Sequence, residues 1–252
     1  MYNSPVACSV LGEGAEGYAV GIRAILLDAG HTLLEGRPSW FDIWEEALAA
    51  FDVALDREAL QRAYARASDL FIPLVSDQIN PEVERRFLRE MIAHLQVPGR
   101  EEELAERMHR ILTEVRPEYA PYPEVPQVLE ELRRRGYRLA VVSNWEPDLP
   151  DVLRRVGLLD AFEVVVASAV VGAAKPDPRI FRVALDALRV EPHTAVHVGD
   201  SYEADVQGAR AAGIQPVLLD RDYMYQQSDV PLIRTLEELL PLLEKHSSGD
   251  DD

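Results

Sequence analysis

The sequence predicts an α/β fold: a Rossmann-like three-layer core with a parallel sheet, plus an inserted helical-bundle cap domain. Two observations indicate this class. After residue 118, short apolar runs alternate with amphipathic stretches, which is typical of strands and helices in a parallel sheet covered on both faces. Between residues 40 and 115, apolar positions recur at spacings of three and four without a strand pattern, which predicts three to five helices.

The core elements are predicted in the following order. The first strand is the apolar run at residues 25–27. After the cap, a helix begins at Pro123 and ends at Gly136, because proline suits the first helical turn and glycine suits the stop. Strands are then predicted at 139–142, 162–166, 195–198 and 216–219, and helices at 148–156, 178–188 and 204–212. Right-handed crossovers place a ligand crevice at the carboxyl ends of these strands.

These patterns divide the chain into segments. We predict an N-terminal extension at 1–20, a core formed by 21–35 and 118–245, a cap at 36–117 and a C-terminal tail at 246–252. The extension is rich in glycine and has no sustained period, and the tail is short and polar.

Composition limits the partners. A formal net charge of -18 argues against binding to nucleic acid or to an anionic membrane, since both need a basic surface. The single cysteine, Cys8, excludes an intrachain disulfide, and no apolar run reaches the roughly 20 residues of a membrane span. We therefore expect a cytoplasmic protein, monomeric or homodimeric, and an anionic small substrate would need a local positive site. Lysine is scarce, so Lys175 at the start of a Lys-Pro-Asp-Pro segment stands out.

Side chains with catalytic potential follow the ends of three predicted strands and precede one predicted helix. They are Asp28, Ser143, Asn144, Lys175, Asp200 and Asp205. Singly, each has a structural use, as a turn cap, a helix cap or a solvated charge. In this order and spacing, they resemble the four motifs of the haloacid dehalogenase superfamily, in subfamily I, which has a helical C1 cap after the first motif. The resemblance covers residues 23–220.

The resemblance implies a Mg²⁺-dependent phosphatase that acts on a small phosphorylated metabolite through an aspartyl-phosphate intermediate. Asp28 would be the nucleophile, and Ser143, Asn144 and Lys175 would bind the phosphoryl group, with Ser143 and Lys175 also catalytic. The implied metal residues are Asp28, the carbonyl of Gly30, Asp200 and Asp205, the last of which would orient a metal-bound water or Lys175. Oxygen ligands of this kind suit Mg²⁺.

One position departs from the family pattern. The family's phosphatases have Asp-x-Asp-Gly-Thr at the first motif, whereas this chain has Asp28-Ala-Gly30-His31-Thr. The usual general acid and base is thus replaced by Gly30, a loss that typically costs about 10²- to 10⁴-fold in rate. A turn that needs unusual backbone angles would also explain a glycine. His31 is either a turn residue or a substitute acid and base, since imidazole titrates near neutrality.

Two other functions remain open. Haloacid dehalogenases also lack the second aspartate and use no metal, although the acidic pair Asp200 and Asp205 argues against halide displacement. A catalytically weak protein that binds a phosphorylated ligand is the other alternative. Phosphonate hydrolases of the superfamily use a cap lysine. The predicted cap contains no lysine, which argues against this activity.

Overall fold

A computed structural model describes residues 21–49, 57–71, 81–95, 99–114, 118–225 and 227–244. The predicted N-terminal extension and C-terminal tail therefore lie outside the described residues. The core is a six-stranded sheet formed by β1 (Ala24–Leu27), β4 (Arg138–Ser143), β5 (Val164–Ala167), β6 (Ala195–Gly199), β7 (Gln215–Leu219) and β8 (Leu232–Ile233). Every strand pair in it is parallel, and the strand order is β5-β4-β1-β6-β7-β8.

Helices cover both faces of this sheet, which confirms the predicted fold class. They are α5 (Val125–Arg134), α6 (Leu149–Arg155), α7 (Ser168–Val171), α8 (Pro178–Leu188), α9 (Gly208–Ala212) and α10 (Leu239–Glu244). Side chains of β1 alternate between the faces, since Ile25 and Leu27 belong to one hydrophobic cluster and Ala24 and Leu26 to the other. Burial on both faces explains why the strands are continuous apolar runs.

Local sequence explains where two of the helices begin or end. Gly136 has a φ of 85° just after α5, a left-handed conformation that glycine adopts without steric cost. Asp177 caps α8, because its carboxylate accepts a hydrogen bond from Arg179 N at 2.9 Å and Pro178 occupies the first helical turn. The Lys-Pro-Asp-Pro segment thus sets the start of α8 immediately after Lys175.

Some element bounds differ from the predicted ones. The strand predicted at 162–166 is β5, Val164–Ala167, because residues Leu159–Ala161 form a 3₁₀ turn that ends at Phe162. In place of the helix predicted at 204–212, the structure has a π-helical turn, Tyr202–Gln207, followed directly by the short helix α9, Gly208–Ala212. π-turns are rare and often occur at functional sites.

The chain leaves and re-enters the core through two short antiparallel strands, β2 (Leu34–Arg37) and β3 (Glu118–Pro121). Sequence analysis did not predict this pair, because strands of four residues with polar content carry little signal. The described part of the cap between them contains helices α1 (Trp40–Ala49), α2 (Arg57–Phe71), α3 (Pro81–His94) and α4 (Glu101–Glu114). These helices enclose a hydrophobic cluster of their own. In the described ranges, no helix is long and apolar enough to cross a membrane.

Candidate active site

Adjacent strands bring the predicted site residues together. Asp28 follows β1, Ser143 ends β4 and Asp200 follows β6, and these three strands are neighbours in the sheet. The amide of Asp28 donates to Val198 O at 2.9 Å, which ties the turn after β1 to β6. The three residues therefore lie at the carboxyl edge of the sheet, where open α/β sheets bind ligands.

Lys175 lies between two carboxylates. Its Nζ is 2.5 Å from Asp28 Oδ1 and 2.5 Å from Asp205 Oδ1, and the lysine is 3% exposed. Burial alone would lower the pKa of Lys175, but the charges of Asp205 and Asp28 outweigh it and hold that pKa above its ordinary value. The lysine is therefore a permanently charged group between these two aspartates.

The backbone of Lys175 is held by Asn144. Lys175 N donates to Asn144 Oδ1 at 2.7 Å, and Asn144 Nδ2 donates to Lys175 O at 2.9 Å. Since the Asn144 side chain is engaged in this way, a ligand contact from Asn144 would use its backbone amide or the second hydrogen on Nδ2. Ser143, the residue before it, is buried at the end of β4.

His197 is a site residue to which sequence analysis assigned no role. It lies in β6 with 0% exposure, and its Nε2 is 2.8 Å from Asp205 Oδ1. Ser201 N donates to the other oxygen, Asp205 Oδ2, at 2.9 Å. Lys175 and His197 lower the pKa of Asp205 although burial raises it, and the net pKa is well below the ordinary value. The available signal was a single histidine between Val196 and Val198 in an otherwise apolar strand.

Asp28, Asp200 and Asp205 form an acidic cluster in which one ligand atom from each lies within 4.8 Å of the others. Burial, followed by the charges of Asp28 and Asp205, raises the pKa of Asp200 well above its ordinary value. One ammonium faces three carboxylates, so the cluster carries excess negative charge. An all-oxygen set with this charge fits a hard divalent cation such as Mg²⁺.

The backbone around Gly30 does not require glycine. Its φ is not in the positive range, and a Cβ built there would lie 3.6 Å from Trp145 Cζ3, an ordinary contact distance. The left-handed residue of the turn is instead His31, with a φ of 52°. The explanation of Gly30 by unusual backbone angles is therefore wrong. The bridge between Gly30 and Leu34 uses the Ala29 carbonyl and the His31 amide, and leaves the Gly30 carbonyl outside the ladder.

Arg221, which follows β7, anchors the turn that contains His31. Its guanidinium donates to His31 O at 3.1 Å and to Thr32 O at 2.9 Å. The same group pairs with Glu124 at 2.7 Å and stacks on the Tyr122 ring, 3.7 Å from the ring centroid. These contacts tie the first motif to the segment by which the chain returns from the cap.

A cleft, which we name the cap cleft, lies between the cap and the core beside Asp200. Its lining residues are His31, Phe41, Trp44, Tyr64, Asp200, Asp222 and Met224. Gln61 Nε2 of α2 donates to Asp222 Oδ1 at 3.2 Å, so the cap and the segment after β7 are directly linked. Burial lowers the pKa of His31, although Asp222 and Asp28 oppose this.

Fold and site together define a class of enzyme. A family model described as haloacid dehalogenase-like hydrolase matches residues 22–213, so the chain belongs to this family and is a hydrolase. The resemblance predicted from the four motifs is thereby confirmed.

The chain is similar to phosphatases and to a dehalogenase of this family. The chain is 36% identical over 227 residues to the phosphoserine phosphatase of Thermus thermophilus, covering 88% of this chain and 84% of the relative. It is 44% identical over 128 residues to haloacid dehalogenase-like hydrolase domain-containing protein 3 of mouse, a match that spans 51% of that protein. Among solved structures, a HAD phosphatase from Thermococcus onnurineus is 28% identical with a TM-score of 0.56, covering 88% of this chain and 98% of the other. A 2-haloacid dehalogenase from Pseudomonas syringae is 26% identical with a TM-score of 0.55, covering 89% and 99% respectively.

Proposed function

We propose that this protein is a Mg²⁺-dependent phosphatase that hydrolyses monoesters of small phosphorylated metabolites, with Asp28 as the nucleophile. The observation that carries the proposal is the buried Asp28–Lys175–Asp205 arrangement beside Asp200. The phosphatase names of several relatives, including a phosphoglycolate phosphatase of Aquifex aeolicus that is 33% identical over half of this chain, support the same reaction class.

Asp28 is suited to attack phosphorus. Lys175 contacts Oδ1, and no hydrogen bond from the described residues reaches Oδ2, which is the oxygen left to attack. A bond forms between Oδ2 and phosphorus while the bond from phosphorus to the leaving oxygen breaks. Water then cleaves the phosphate from Asp28 and restores the carboxylate. Because position 30 carries no acid, the leaving oxygen takes its proton either from solvent water or from His31, which lines the cleft beside Asp200.

The transferring phosphoryl group would be held by the Ser143 hydroxyl, the Asn144 amide and the Lys175 ammonium. Positioned charges and dipoles provide most of the catalysis in phosphoryl transfer. Lys175 can serve this purpose because Asp205 and Asn144 fix its head and its backbone respectively. His197 and Ser201 in turn fix Asp205, so we assign His197 as a positioning residue.

The acidic cluster would hold Mg²⁺ through Asp28, Asp200 and the Gly30 carbonyl. We assign Asp205 mainly to the orientation of Lys175, since both of its oxygens already accept hydrogen bonds. When bound, Mg²⁺ would neutralise the excess negative charge and stabilise charge on the phosphoryl oxygens. Burial and then repulsion by Asp28 and Asp205 raise the pKa of Asp200, and a bound cation would offset both effects, which supports this assignment.

A dehalogenase is the second candidate, and the missing acid at Gly30 favours it. The acidic cluster argues against it, because displacement of halide from an uncharged carbon needs no cation.

The test is the release of phosphate from p-nitrophenyl phosphate in millimolar Mg²⁺ and in chelator, beside the release of chloride from 2-chloropropionate. We expect metal-dependent phosphate release that Asp28→Asn abolishes and that Asp186→Asn, an exposed control on α8, retains. Chloride release in chelator would instead establish the dehalogenase. Binding of inorganic phosphate without turnover of any ester would indicate a phospho-ligand binding protein.

A further inference from the structure

The cap cleft has a preformed apolar wall contributed by the cap. Phe41 and Trp44 are 4% and 5% exposed, and their ring centroids are 5.5 Å apart in an edge-to-face arrangement. Tyr64 packs on Trp44 at 5.3 Å, and Met224 from the core packs against the same cluster. A ligand that enters this cleft therefore meets aromatic and thioether surface on the cap side.

The polar part of the lining is acidic. It contains the carboxylates of Asp200 and Asp222 and the imidazole of His31, and neither lysine nor arginine. Because Asp200 is assigned to the metal, Asp222 is the carboxylate of the lining that is left to face a leaving group. Gln61 from the cap donates a hydrogen bond to Asp222, which holds this carboxylate in position at the cleft.

Two arginines near the cleft form hydrogen bonds and ion pairs with other groups of the protein. Arg221 adjoins Asp222 in sequence, but its guanidinium is turned to the His31 and Thr32 carbonyls and to Glu124. Arg57 of α2 forms ion pairs with Asp42 and Glu45, and its charge also acts on Asp222, although Arg57 does not line the cleft. In the apolar wall, Trp44 Nε1 is buried and has no hydrogen-bond partner among the described residues. The cap side of the cleft thus has neither lysine nor arginine among its described lining residues.

We propose that the cap cleft binds an uncharged, predominantly apolar leaving group, and that Asp222 excludes leaving groups that carry a carboxylate or a second phosphate. This inference rests on the proposed phosphatase function, because the cleft adjoins Asp200 at the proposed reaction centre. A second anionic group would lie against Asp222 with no lysine or arginine among the described lining residues to pair with it, and the contact of two like charges is disfavoured. Aryl and apolar alkyl phosphates are then the preferred class over phosphorylated carboxylic acids.

The test compares phenyl phosphate with 4-carboxyphenyl phosphate, which differ by one carboxylate on the same ring. For the wild-type protein in Mg²⁺, we expect kcat/KM to favour phenyl phosphate by about tenfold or more. Asp222→Asn keeps the oxygen that accepts from Gln61 and removes the charge, so it should narrow this ratio to within about threefold. Asp229→Asn, at an exposed carboxylate paired with Arg210, should leave the ratio at its wild-type value.

Equal kcat/KM values for the two esters in the wild type, or an unchanged ratio in Asp222→Asn, would overturn the inference while the phosphatase function stands. If neither ester is hydrolysed, the proposed function fails. The inference about the cap cleft is then tested by the binding of two non-hydrolysable analogues. Calorimetry with phenylphosphonate and with 4-carboxyphenylphosphonate in Mg²⁺ should then show tighter binding of the uncharged ring, with the difference reduced in Asp222→Asn. Equal affinities in the wild type would refute the assignment of the cleft.

Discussion

The side chain of Asn144 and the backbone of Lys175 exchange two hydrogen bonds, Lys175 N to Asn144 Oδ1 at 2.7 Å and Asn144 Nδ2 to Lys175 O at 2.9 Å. This pair joins the end of β4 to the segment before α8. It fixes the backbone from which the Lys175 side chain reaches Asp28 and Asp205. Asn144 therefore acts on the site through Lys175, in addition to any contact of its amide with a ligand.

Asn144→Ala should lower both stability and turnover. It removes two partly buried hydrogen bonds to the backbone of Lys175, each of which contributes about 0.5–1.5 kcal/mol to the free energy of unfolding. A misplaced Lys175 should reduce kcat by roughly 10²-fold. Urea denaturation and steady-state kinetics measure the two effects, with Gln127→Ala on the exposed face of α5 as control. Wild-type kcat in Asn144→Ala would show that Lys175 needs no such anchor.

Two glycines of the site should respond in opposite ways to alanine. A Cβ at Gly199 would lie 2.1 Å from Asp205 Cγ, so Gly199→Ala must displace Asp205 and should cost about 1–3 kcal/mol and most of the activity. At Gly30 the nearest atom to a Cβ would be Trp145 Cζ3 at 3.6 Å, and φ is not positive. Gly30→Ala should therefore be neutral or stabilising by about 0.4–1 kcal/mol. Thermal unfolding of the two variants checks this contrast, which equal destabilisation would contradict.

Gly30→Asp should restore a proton donor to the first motif. The space around Gly30 accepts a Cβ, so the variant should fold. Alkyl phosphates need a protonated leaving oxygen more than aryl phosphates do, so their hydrolysis should rise, by up to about 10²- to 10⁴-fold. Gly30→Asn is the matched control, because it has the same size and no acid. If the two variants have the same ratio of alkyl to aryl hydrolysis, the acid at position 30 has no role in leaving-group protonation.

Asp200→Asn should stabilise the metal-free protein and remove its response to Mg²⁺. Repulsion and burial raise the pKa of Asp200, so its ionised form is disfavoured in the folded state and neutral asparagine relieves this. Wild-type protein should gain about 2.7 kcal/mol when Mg²⁺ is present at a hundred times its Kd, and the variant should gain little. Thermal unfolding with and without Mg²⁺ is the measurement. An equal Mg²⁺ response in both proteins would place the metal elsewhere.

The same carboxylate predicts a pH dependence. Because the folded-state pKa of Asp200 lies above the unfolded value of about 3.9, the folded protein binds more protons than the unfolded protein at pH values between these two pKa values. The stability of the metal-free protein should therefore fall as the pH rises from the unfolded to the folded pKa, and it should level off above the folded pKa. Asp205 has the opposite shift, and its stabilisation is complete above about pH 4. Denaturant titrations in chelator from pH 4 upward should show the decline in wild type and a flatter profile in Asp200→Asn. A rising wild-type profile over this range would refute the assignment.

The sequence by itself determined the fold class and the site residues at the carboxyl ends of β1, β4 and β6. Parallel strands buried on both faces must be apolar runs, and their carboxyl ends must meet at one edge, so Asp28, Ser143 and Asp200 could be grouped from order and spacing alone. Lys175 could be selected because lysine is nearly absent elsewhere.

Only the tertiary structure decided the contacts among these residues. Asn144 and Lys175 are 31 positions apart, and no local pattern reveals that an amide side chain will pair with a distant backbone. The link from His197 to Asp205 likewise depends on the π-turn that follows β6. The conformation of the first motif was also decided by the tertiary structure. The residue type suggested unusual backbone angles at Gly30, whereas the residue with the left-handed φ is His31. Periodicity records which residues are buried, but the partner of each buried polar group is set by how separate segments pack together.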